Sequence, residues 1–176
     1  DQVADAFRFC QALAVRAKQT GVRFRLGVEI HHIGIESGRV TGLHGSGGIE
    51  RADAYVLAAA SYSTPLAATA GIALPIRPAK GYSITIPDRL DQPSLGMPIV
   101  DDALHAVVVP LEGAVRVAGT AEFAGYDLEL RSPRIANLKA LLDQVLPRAP
   151  LDMSGARPWC GLRAMSGLGC PPARAL

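Results

Sequence analysis

The spacing of apolar residues changes period at one point near the start of the chain, and that change constrains the fold more than any other feature. Val3, Phe7, Cys10, Ala14 and Ala17 recur every three or four residues, the stripe of an amphipathic helix, and Thr20-Gly21 supplies its stop. Immediately beyond, Val22, Phe24 and Leu26 alternate with Arg23 and Arg25, the period-two pattern of a strand with one wet face. Helix, tight turn and strand in succession make an αβ unit, which places the chain among folds that mix helices with sheets. The pattern predicts that one face of the helix is buried and that residues 22–26 form a strand.

Later runs extend this organisation. Residues 28–35, residues 39–43 and Ile49-Glu50, the last preceded by Gly45-Ser46-Gly47-Gly48, read as a small antiparallel meander. Residues 53–61 are almost wholly apolar and predict a buried strand. Thr64 and Pro65 then stand as N-cap and first-turn candidates for a short helix ending at Gly71. A strand leading into a helix N-terminus can seat a phosphate on free backbone N–H groups, and the same pattern describes an ordinary βα crossover. From Leu74 the character shifts. Pro75 and Pro78 bracket an extended linker, and Tyr82, Ile84 and Ile86 alternate up to Pro87, opening a second lobe. Glu112-Gly113 joins two short apolar runs as a hairpin, and Ser132-Pro133 caps a helix that turns Ile135, Leu138, Leu142 and Val145 inward. That lobe is α+β.

The chain has 176 residues, 49% of them apolar, which is enough to bury a sizeable core. Eighteen basic against sixteen acidic residues leave a charge of +2, with no basic run able to track a phosphate backbone, so nucleic acid is not an expected partner. Cys10, Cys160 and Cys170 show neither the pairing of a disulfide framework nor the spacing of a zinc site. No apolar run is long enough to span a membrane. The sequence opens at Asp1 already at helical spacing, and we read it as an internal fragment. Neither G-x-G-x-x-G, G-x-S-x-G nor G-x-x-x-x-G-K-[ST] occurs in it. His31 and His32 point to opposite faces of one strand and cannot chelate together; His44 and His105 are expected in or beside turns, as is Asp101-Asp102. Cys160 reads as a small buried side chain, with a reactive thiol as the alternative.

The segment Arg157-Pro158-Trp159-Cys160-Gly161-Leu162-Arg163-Ala164-Met165 holds the one tryptophan and sends a guanidinium out of an apolar, glycine-containing run. Such an arginine is either ion-paired or aimed into a pocket, where its planar fork suits a carboxylate.

Three stretches in order carry a family resemblance: Ala52-Asp53-Ala54-Tyr55-Val56-Leu57 through Ser61-Tyr62-Ser63-Thr64, then residues 78–87 from Pro78-Ala79-Lys80-Gly81-Tyr82 to Pro87, then Trp159-Cys160-Gly161-Leu162-Arg163. Together they resemble the small subunits of bacterial D-amino acid dehydrogenases, within the FAD-dependent D-amino acid oxidase and glycine oxidase superfamily. The resemblance implies residues 1–73 as the middle of a glutathione-reductase-type FAD-binding domain, residues 74–165 as a mixed-sheet substrate domain, and residues 166–176 as an aberrant tail. It implies Val28 beside the adenine, Ala59, Ala60 and Ser61 near the pyrophosphate, Arg163 on the substrate carboxylate and Tyr82 in the substrate pocket. A buried core tyrosine is the competing reading of Tyr82. No side-chain base is required.

The implied reaction is oxidative deamination of a D-amino acid to a 2-oxo acid and ammonia, with electrons passing through FAD to a quinone-type acceptor. The implied setting is cytoplasmic, with peripheral contact at the inner membrane. Two departures stand out. Ala60 replaces a usual glycine, and after Arg163 the pattern Pro-Met-Thr-Pro-Asp-Gly gives way to Ala164-Met165-Ser166-Gly167-Leu168-Gly169. The chain lacks the dinucleotide fingerprint, so by itself it is expected to be inactive and to hold FAD weakly. The alternatives are a non-catalytic remnant or a carboxylate-binding lobe without flavin, and a sibling activity like glycine or sarcosine oxidase.

Overall fold

A computed structural model describes residues 4–88, 95–147 and 151–167. Helix α1 spans Ala6–Gln19, β1 Ile30–Glu36, β2 Arg39–Gly45, β3 Gly48–Glu50, α2 Ser63–Thr69, β4 Ile76–Pro87, β5 Ile99–Asp101, β6 Ala106–Leu111, β7 Ala114–Glu122, α3 Ser132–Val145 and β8 Arg157–Ser166. Short 3-10 turns occupy Ala60–Tyr62 and Met153–Gly155. Two compact units result: Asp1–Gly21 with Ala79–Leu162, and Val22–Pro78 with Arg163–Leu176. Each unit is assembled from two separate stretches, whereas the division expected from sequence ran along the chain in order.

The first unit is built on a five-stranded sheet in the order β5-β6-β7-β4-β8. Strands β5/β6, β6/β7 and β4/β7 pair antiparallel. The β6–β7 hairpin turns at Glu112-Gly113, where Gly113 takes φ +69°, a conformation that costs a side chain with a Cβ. Period-two alternation puts Tyr82, Ile84 and Ile86 of β4 on the same inner face as Val108 of β6 and Val115 and Val117 of β7. Helix α3 lays Leu138, Leu141 and Leu142 over them, with Ile135 and Val145 packed at the margin. Each such side chain taken out of water contributes about 1.5–3 kcal/mol, which makes this face the main source of the unit's stability.

The second unit holds the antiparallel meander β1-β2-β3, with α2 packed on β1. Its small core joins Ile33 to Ala67, and the backbone N–H of Ile33 donates to the Thr69 hydroxyl at 3.0 Å. That bond caps a strand-edge donor with a helix side chain.

Several sequence expectations are corrected. Helix α1 forms, with Asp5 as N-cap accepting from the Phe7 and Arg8 amides, but it buries no residue and Phe7 is 66% exposed. Val3 lies outside the described residues. Residues 22–26 form no strand, and Leu26 is 83% exposed. Residues 53–59 are likewise not a strand, and Val56 is 91% exposed. The physical reason is common to both runs: a strand exists only where a neighbour completes its ladder, and no described strand pairs with either.

Helix α2 begins at Ser63 with no side-chain cap, so Thr64 is inside its first turn and donates instead to the Ile76 carbonyl. The supposed linker at Pro75–Pro78 is largely strand. Pro78 costs the β4–β7 ladder no donor, because pairing with β7 starts only at Lys80. Ser132 also lies inside its helix, whose N-cap is Arg131. His44 lies near the end of β2, beside the turn at residues 46–47, and is paired across from His32 with ring centroids 5.4 Å apart.

Candidate functional site

Strand β8 carries the arginine segment as an outer strand next to β4. Alternate residues share a face, so Trp159, Gly161 and Arg163 lie on one side and Cys160 and Leu162 on the other. The indole of Trp159 covers Gly161 so closely that a Cβ there would stand 2.1 Å from Cη2. Glycine is what lets the ring lie along the strand. Cys160 turns inward, packs against the core and donates its thiol to the Leu128 carbonyl at 3.1 Å. Arg163 is exposed, and its guanidinium has no ion-pair partner among the described residues.

The Ala59–Tyr62 segment is a tight turn closed by the Tyr62 amide on the Ala59 carbonyl at 2.9 Å. The Ala59 amide is satisfied by Ser63 Oγ at 3.1 Å, and Ser61 is buried. Ala60 takes φ +47°, the left-handed region that favours glycine. The residue flagged in the sequence as replacing a usual glycine therefore sits where the backbone wants one. Val28 precedes β1 in the same unit and rests against the Gly47 turn. These residues could serve a dinucleotide as backbone-facing contacts, but the glycine-rich loop that would hold its phosphates is not in this sequence.

Tyr82 belongs to the other unit. It is 2% exposed and its hydroxyl donates to Glu122 Oε2 at 2.6 Å, part of a charged cluster that sequence reading missed. Lys80, with no exposed surface, donates to Asp127 Oδ2 at 2.8 Å and to the Glu129 carbonyl at 3.1 Å, and stands 3.5 Å from Glu122. Arg131 reaches Asp127 at 3.1 Å and Glu122 at 3.7 Å. Burial would lower the Lys80 pKa, but its bonds to Asp127 and Tyr82 outweigh that and the net shift is upward. The Lys80 hydrogen bond holds the Asp127 carboxyl well below the usual carboxylate range. The Tyr82 hydroxyl, ahead of the surrounding cations, likewise lowers Glu122. No local motif signals this cluster, because its members meet only through the β4–β7 pairing and the connection after β7.

Among the described residues no group of three or more His, Cys, Asp or Glu could hold a metal, and no helix is long and apolar enough to cross a membrane. Cys10 and Cys160 are free thiols.

The chain is 40% identical over 172 residues to a protein named D-amino acid dehydrogenase from Methylobacterium sp. (strain 4-46), and 41% identical over 172 residues to one of the same name from Xanthobacter autotrophicus. Each match covers 97% of this chain and 41% of the relative, so the chain spans about two fifths of the length of these relatives. Among solved structures, glycine oxidase from Geobacillus kaustophilus superposes with a TM-score of 0.77 at 24% identity, over 92% of this chain and 42% of that one, a likeness of fold. The model of the DAO family, described as FAD dependent oxidoreductase, matches residues 1–172. With a family match over nearly its whole length, this chain belongs to the FAD-dependent oxidoreductase family.

Proposed function

We propose that the chain serves the FAD-dependent oxidative deamination of D-amino acids to 2-oxo acids and ammonia, with electrons delivered to a quinone-type acceptor. The observation that carries this reading is the exposed Arg163 guanidinium on β8, within a chain 40% identical over 97% of its length to a D-amino acid dehydrogenase. Arg163 binds the substrate carboxylate two-on-two and fixes its plane, which sets the direction in which the Cα–H points. Tyr82 supports the substrate region from β4 through its bond to Glu122. When bound, FAD supplies the two-electron acceptor for the Cα–H. Val28, Ala59, Ala60 and Ser61 are the residues of this chain that would face it.

The relatives' name favours a dehydrogenase, and hence an acceptor other than oxygen, over the glycine oxidase sibling, whose resemblance is one of fold. Contact with a membrane surface, where quinones reside, follows from that acceptor. A second reading is a carboxylate-binding lobe without flavin. The 176-residue chain alone should purify colourless.

The test uses a form that also carries the flanking segments the relatives possess. Under anaerobic conditions D-alanine should bleach its flavin band, and a soluble quinone analogue should restore it and sustain turnover. Bleaching by glycine but not by D-alanine would move the assignment to the sibling activity. A colourless protein that still binds D-alanine would support the flavin-free lobe.

A further inference from the structure

The segment from Phe123 to Arg131 carries the chain from β7 to α3 without a strand or helix of its own. Burial does not hold it in place: Phe123 is 74% exposed, Leu128 50% and Leu130 42%. Its fixed points are polar. The Asp127 amide closes a turn on the Ala124 carbonyl at 3.4 Å, and Asp127 Oδ1 accepts from the Glu129 amide at 2.8 Å. Asp127 Oδ2 and the Glu129 carbonyl both receive the Lys80 ammonium, at 2.8 and 3.1 Å.

Lys80 is suited to this task. It rises from the middle of a central strand, has no exposed surface and directs its donors at groups with which they are satisfied. A bulge puts it there. Lys80 pairs with Glu122 and Tyr82 with Gly119, so Thr120 and Ala121 together face Gly81, and Thr120 takes φ +69°. The bulge turns Glu122 toward Lys80 and Tyr82, and leaves the strap that follows to be anchored by charge.

We propose that Lys80 is a latch: one buried ammonium on β4 fixes the path of the 123–131 strap, and strap order depends on it while the sheet beneath does not. The latch is permanent across ordinary pH, since Lys80 is shifted up and Asp127 down, both away from neutrality.

Three variants of the chain test this by chymotrypsin cleavage mapped with mass spectrometry, alongside amide hydrogen exchange. Lys80→Met and Asp127→Asn should each speed cleavage after Phe123, Tyr126 or Leu128 by about tenfold or more, while amide protection in β6 and β7 stays within about twofold. Glu122→Gln should leave strap cleavage near the parental rate, because the Lys80–Asp127 bond survives it. Unchanged strap cleavage in the first two variants would overturn the latch. So would a loss of protection in β6 and β7 that matches the strap, in either variant, because Lys80 and Asp127 would then hold the core as a whole.

Discussion

Tyr82, Ile84, Ile86, Val108, Val115 and Val117 lie almost wholly out of solvent in the five-stranded unit, where α3 covers their face of the sheet. In the three-stranded unit Ile33, Ala67 and Ile76 are buried, while Val22, Phe24, Leu26, Val56 and Leu57 stand exposed. The five-stranded sheet closes around its apolar face and the meander does not, while α1 of the same five-stranded unit leaves Phe7, Phe9 and Leu13 as exposed as the runs of the other unit. The difference lies in layers. A sheet covered by a fourteen-residue helix buries its alternating residues, whereas a meander with a seven-residue helix has little to lay over the extended segments beside it. Apolar content sets how much can be buried, and partner elements decide how much is.

The largest expected effect contrasts the two units directly. Leu138→Ala should destabilise the five-stranded unit by about 2–5 kcal/mol, because it opens a cavity in a closed core. Val56→Ser, in the most exposed of these runs, should stay within about 0.5 kcal/mol. Urea unfolding followed by hydrogen exchange in each unit checks both. A comparable loss at both sites would erase the distinction.

Next in size is a pH effect confined to the five-stranded unit. Glu122 and Asp127 have folded pKa values below their usual 4.5 and 3.8, so their contribution is complete above the unfolded values and is lost as pH falls through the folded ones. Lys80 is raised above its usual 10.5, so its contribution is complete below that value and is lost only as pH rises through the higher folded one. Stability of this unit attributable to the cluster should therefore be flat between about pH 5 and 10 and fall on the acid side. The double variant Glu122→Gln, Asp127→Asn should flatten the acid limb. A step near neutral pH that disappears in the double variant would contradict the assignment.

The smallest effect belongs to the three-stranded unit. Ala60→Gly relieves a left-handed alanine and should stabilise that unit by about 1 kcal/mol, while Ala59→Gly, at φ −93°, should not. In the form with flanking segments, Ala60→Gly should also tighten FAD binding, as judged by flavin fluorescence titration. Equal dissociation constants would remove Ala60 from the cofactor contacts.

How far the sequence could be read follows the same contrast. The β6–β7 hairpin, the inward face of α3 and the alternation of β4 were legible because each residue's periodicity is answered by a neighbour within the chain. Residues 22–26 and 53–59 carry equally clear apolar signals, but periodicity reports what a segment could bury and not whether a partner strand is at hand. Glu122, Asp127 and Arg131 could not be connected to Lys80, because the β7 bulge that brings them together is a property of pairing and not of local sequence. At the candidate site, the sequence singled out residues 157–165 as one segment, but that they form a strand follows from their place beside β4. The left-handed turn at Ala60 was foreshadowed only by its resemblance to a glycine position.

Arg163 offers the most direct test of the functional account. In the form with flanking segments, Arg163→Leu should lower kcat/KM for D-alanine by roughly two to four powers of ten, because a carboxylate loses its charge-assisted partner. Arg163→Lys should recover part of that, since the charge remains without the fork. Melting temperature and flavin occupancy, measured on the same samples, should stay at parental values. A Leu variant with near-parental kcat/KM, or one whose activity falls only in proportion to lost flavin and early melting, would contradict the carboxylate-anchor role.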